Sequence, residues 1–230
     1  MLKPRRTIIK KELKKDPYVE FLARTKQNLD NNQSMYKKIL LGAIAVIIAI
    51  VFLTNNYQNN RSISQELLGK AFVTMANNDI DNARIQFEFI SDEYGDSESG
   101  NLAKYYLARL HFSEKDYLAA TSYLNEIRNA NFPLNHFNIS KFKMMALIAV
   151  ENKNYDGAVS YYDIALSSAE LESQKHIISL DLADTILLMG DYNRSLELVQ
   201  SVLDNAEPRS TNYSRAEELF GQIKHTKSAS

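Results

Sequence analysis

The sequence predicts an all-α chain in which a single N-terminal transmembrane helix precedes an α-solenoid of about four helix pairs and a C-terminal capping helix. Three observations carry that expectation. An uncharged apolar run occupies residues 39–53, small side chains recur every 37 to 38 residues further on, and turn residues are sparse, with 7 Gly and 4 Pro in 230 residues. Few breakers among stretches rich in Ala, Leu, Ile, Lys and Glu favour helices over strands.

Residues 1–38 form a basic leader with 11 Lys and Arg against 4 Asp and Glu. That charge suits a mostly disordered tail which sets topology and is read as cytoplasmic. Within it, Asp16 and Pro17 also read as the cap and first residue of a short helix. Tyr18, Phe21, Leu22 and Leu29 would share one face of it, fit to lie on a membrane surface or to dock a cytoplasmic partner.

From Ile39 to Leu53 the chain reads ILLGAIAVIIAIVFL, of which eleven residues are Ile, Leu, Val or Phe. At about −0.3 to −0.6 kcal/mol each, these favour insertion by roughly 3 to 7 kcal/mol. The run is shorter than the ~20 residues of a full span and overlaps the length of a signal-peptide core. Its flanks decide between the two. Tyr36 and Tyr57 suit the interface, Lys37 and Lys38 can snorkel, and no small-x-small cleavage pattern follows in VFLTNNYQNN. An uncleaved anchor over residues 39–57 is the expectation. The Lys and Arg before it place the N-terminus in the cytoplasm and the rest of the chain beyond the membrane.

Residues 58–225 hold the repeats. Ala83, Ala120, Ala158 and Ser195 stand in register, and twelve residues before each stands another small residue: Ala71, Ala108, Ala146 and Ala183. Two antiparallel helices approach closely only where each offers a small side chain to the other. Between the two positions lies a polar turn with Asp79, Asp116, Asn154 or Asp191 to cap the second helix, followed by Ile80, Tyr117, Tyr155 or Tyr192 as a wedge. Tyr213, Ala216, Leu219, Phe220 and Ile223 then form the apolar face of a terminal helix that covers the last pair, and residues 226–230 are expected as a disordered tail.

The small residue, the Asx-Tyr turn and the second small residue together resemble the tetratricopeptide repeat, best in MGDYNRSLELVQSVLDNAEP, where Gly190 and Pro208 are in place. The first repeat departs from the pattern with Lys70 and Thr74, and the longer period implies longer connections between pairs. A basic leader, one helix and an acidic repeat domain opened by EYGDSESGNLAKYYLARLHFSEKDYLAATSYL further resemble the YfgM-like ancillary subunits of the bacterial SecYEG translocon. That resemblance implies an inner-membrane protein whose repeats face the periplasm. Its implied partners are the Sec translocon, periplasmic chaperones or secreted client chains. The same layout also suits a structural scaffold of another cell-envelope complex, in division or wall synthesis.

Catalytic chemistry finds no footing. The chain has no Cys, no Gly-rich phosphate loop and no GxSxG elbow, and its four His, at 111, 136, 176 and 225, lack metal-ligand spacing. His111 reads as a structural histidine facing the repeat core, and Asp181 and Asp184 as part of a solvated acidic face. No enzyme activity, cofactor, metal or small-molecule substrate is expected. Residues 54–230 carry 16 Lys and Arg against 24 Asp and Glu, a balance that disfavours nucleic acid. What remains is a polypeptide-binding groove on the first helices of the pairs. Helical spacing from the four Ala positions nominates Leu68, Phe72, Met75, Tyr105, Arg109, Phe112, Leu147, Val150, Asp184 and Leu187.

Overall fold

The computed structural model describes residues 17–229 and is helical through nearly all of them, with no strand among the described residues. Helix α1 (Pro17–Asn31) starts on a proline, whose missing N–H costs nothing in the first turn. The expected cap, Asp16, lies outside the described residues. Over this stretch the leader is an exposed helix rather than a disordered tail. Tyr18, Phe21, Leu22 and Leu29 all face solvent on it.

Helix α2 (Gln33–Ala76) carries the apolar run and is long and apolar enough to cross a membrane by length and composition. It continues without a break into the first repeat. Residues 54–63 change in polarity but contain no Gly or Pro to end a helix, so composition and helix boundary part company there. The chain divides into two compact units, residues 1–59 and 60–230.

In the second unit the last turns of α2 pack Leu68 and Ala71 against Ala83, Phe87 and Ile90 of α3 (Ile80–Glu93), while α4 (Glu98–Ser113) pairs with α5 (Tyr117–Glu126), α6 (Asn135–Glu151) with α7 (Tyr155–Ser168), and α8 (Glu172–Leu188) with α9 (Tyr192–Asn205). Helix α10 (Thr211–Ala229) packs on α9 and α8. It remains helical to Ala229, past the point where the sequence suggested a disordered tail.

Every hairpin turn is built alike. The residue before the cap adopts a left-handed conformation, with φ of 62° at Asn78, 62° at Lys115, 58° at Lys153 and 81° at Gly190. The next N–H then reaches the carbonyl five residues back: Asp79 to Thr74 (3.2 Å), Asp116 to His111 (2.9 Å), Asn154 to Ala149 (2.8 Å) and Asp191 to Ile186 (3.2 Å). The same four side chains accept the backbone N–H three residues on, from Asn82, Ala119, Gly157 and Arg194. One short segment thus closes one helix and opens the next.

The eight small positions are all fully buried. Their contact is direct in the fourth pair, where Ser195 Oγ donates to the Ala183 carbonyl oxygen at 2.8 Å. Large side chains fill the spaces on either side and join neighbouring pairs. Leu68, Phe87, Ile90 and Leu107 link the first pair to the second, and Tyr162, Ile178, Leu182 and Ile186 link the third to the fourth. The longest connection runs from Ile127 to Leu134 between α5 and α6.

Candidate protein-interaction surface

Successive first helices lie side by side, and the nominated residues divide between their seams and their outer face. Leu68 and Tyr105 are buried in the seams. Phe72 is half-buried, with its ring 4.8 Å from that of Tyr106 and 5.6 Å from that of Phe87. Met75 belongs to the same cluster. Phe112 is half-buried, 5.7 Å from the Tyr117 ring, and Val150 and Leu187 are likewise half-buried. Arg109 and Leu147 are exposed. The face is therefore a row of apolar edges, open most fully at Leu147.

Polar ties run between the first helices alongside that row. Tyr105 donates its hydroxyl to Ser140 Oγ at 2.8 Å, joining α4 to α6. Lys143 Nζ meets Asp181 at 2.8 Å, joining α6 to α8, and Arg215 spans Asp181 (2.7 Å) and Asp184 (2.8 Å), joining α8 to α10. Asp181 and Asp184 are thus no solvated acidic face: two cations from flanking helices hold them, and the Asp181 side chain keeps only 15% of its accessible surface. Desolvation nevertheless raises the Asp184 carboxyl above the ordinary aspartate range, against the lowering effect of Arg215.

His111 is held against the repeat core as expected. Its ring stacks 5.8 Å from Tyr123, and Nδ1 lies 3.2 Å from the Asp116 carboxylate that caps α5. The described residues contain no cluster of three His, Cys, Asp or Glu able to hold a metal ion.

No protein-family profile and no curated protein matches the sequence. Among solved structures, the chain is similar to the nearly identical TPR-like repeats of a Podospora anserina protein described as a kinesin light chain. The TM-score is 0.58 at 14% identity, over 74% of this chain and 88% of that one. The fold is of the tetratricopeptide type. In a tetratricopeptide-like stack the first helices form a continuous surface, and here that surface combines exposed Leu147 and Arg109 with the half-buried edges of Phe72, Met75, Phe112, Val150 and Leu187.

Repeat spacing missed the ties. Ser140, Lys143 and Arg215 carry no signal of their own, because their partners sit 31 to 38 residues away, on a neighbouring helix of the row. Spacing of nearly one period between a cation and an acid is the signal that would have found the Lys143 and Arg215 ties.

Proposed function

We propose that this chain is a membrane-anchored, non-enzymatic protein-interaction module. The N-terminus faces the cytoplasm and the repeats face the periplasm of a bacterial cell, where they receive polypeptide near the protein-translocation machinery. The observation that carries this reading is the row of apolar edges on the first helices of a tetratricopeptide-type stack, joined through α2 to an apolar segment flanked by basic residues. Leu147 offers the most accessible apolar contact on that row, and Arg109 can orient a passing carboxylate or carbonyl. Asp184, already bridged by Arg215, serves the stack more than a client.

A photo-crosslinking residue placed at Leu147 in native membranes tests the reading. Expected products are translocon components, periplasmic chaperones or secreted chains, and Leu147→Glu should reduce capture at a neighbouring probe by roughly tenfold, since a buried interfacial apolar contact is worth ~1–2 kcal/mol. Products drawn only from division or wall-synthesis proteins would identify the scaffold alternative instead. Orientation is read separately: a phosphatase fused after Ser230 should be active only on the periplasmic side.

A further inference from the structure

A polar cavity of about 450 Å³ lies where the chain leaves α5, walled by the α5–α6 connection, α6 and the end of α7. Helix α5 has 10 residues, whereas α3, α7 and α9 have 14 each, and the connection that replaces its last turn lines the cavity. At its inner wall stands Lys141, only 2% exposed. The ammonium donates to the carbonyl oxygens of Ile127 (3.2 Å) and Ala130, and lies 5.3 and 5.0 Å from the ring centroids of Phe132 and Phe142. Of its three N–H groups, protein acceptors take two.

Arg128, on the same wall, rests 5.6 Å over the Tyr161 ring. Among the described residues neither cation is paired with a carboxylate, although the cavity places both together. A buried cation without a counter-charge favours an anionic occupant over water alone. Asn131 Oδ1 accepts from Asn138 Nδ2 and Asn135 Nδ2 donates to the Ser168 carbonyl, so the wall offers a peptide main chain the Asn129 amide, Asn131 Nδ2 and Asn135 Oδ1. Glu170 also lines the cavity, its Oε1 accepting from Asn135 Nδ2 at 3.2 Å. That fixed negative charge disfavours a dianion such as phosphate and leaves a singly charged carboxylate as the fitting ligand.

We propose that this cavity binds the carboxylate of an acidic peptide segment, with Lys141 and Arg128 meeting its oxygens and the asparagine amides its main chain. The site is separate from the first-helix face and stands whether or not that face receives clients. It is tested on the full chain in detergent micelles by amide NMR. The probes are an alanine tripeptide with one central glutamate, acetylated at its N-terminus and amidated at its C-terminus so that the side chain is its sole carboxylate, its glutamine analogue, and inorganic phosphate.

The glutamate peptide should shift the amides of Asn129, Asn131 and Asn138, and the glutamine analogue should bind about tenfold more weakly, as expected for losing a charge-assisted hydrogen bond. Arg128→Gln, at an exposed position, should weaken the glutamate peptide by about the same factor with unchanged thermal unfolding. Lys141→Met serves as a second, buried variant. Absence of shifts with millimolar glutamate peptide would show Lys141 to be only a staple for the connection. Equal response to phosphate, or undiminished binding by Arg128→Gln, would equally overturn the proposal.

Discussion

A Cβ built on Gly100 would lie 2.0 Å from the Tyr94 carbonyl oxygen, so the chain can fold from α3 into α4 only because that atom is missing. The obstacle is backbone, which cannot swing aside like a side-chain tip. Gly100→Ala should cost about 1–3 kcal/mol in denaturant unfolding, and more if the turn must rebuild. Lys141 offers a second test at this scale. Burial lowers its pKa below the ordinary 10.5, so between the two values the unfolded chain binds more protons than the folded one. Stability of the natural chain relative to Lys141→Met should therefore rise as pH climbs towards 10.5 and level off above it, measured by urea unfolding in alkaline buffers. A flat difference would mean that the ammonium is hydrated in the folded state. Residues of this kind are nearly silent in sequence: a lysine two positions from Lys143 has the same spacing whether it points into a core or into water.

Helices and turns were far more readable. The four caps, the eight small positions and the terminal helix follow from local chemistry that repeats, because each needs only a short stretch of chain to be satisfied. The α5–α6 connection follows no such rule, since its order comes from α6 reaching back to it. Asn138 Oδ1 accepts the Phe132 N–H at 3.0 Å while its Nδ2 donates to the Phe132 carbonyl at 2.9 Å, a two-point grip on a buried main chain. Asn138→Ala would leave both groups unsatisfied and should cost about 1–3 kcal/mol. Hydrogen exchange at Phe132 should quicken well before that of α6, which isolates the connection from the helix that holds it. The candidate face was half legible for the same reason: spacing puts the nominated residues on the first helices, but Leu68 and Tyr105 are buried by neighbouring pairs that spacing from a single helix does not include.

At the scale of the whole repeat unit, each pair leans on the next and the final one on α10. Helix α10 buries Ala216, Leu219 and Ile223 against Leu180, Val199 and Val202. Deleting residues 211–230 removes two large buried side chains worth roughly 3–6 kcal/mol together, which is comparable to the net stability of many domains. The expected result is local: exchange protection lost in α8 and α9 but retained in α3 to α5, read by hydrogen exchange with mass analysis. The near-identical turns carry one more consequence. Since any first helix can be followed by the same left-handed residue and cap, nothing local prevents a second helix of one molecule from settling into the equivalent slot of another. Correct partnering must then be enforced by contacts that differ from pair to pair. Thr74 to Gln86, Lys104 to Glu126 and Ser195 to the Ala183 carbonyl each join the two helices of one pair, and among the described residues each occurs once. They act as addresses on otherwise interchangeable parts.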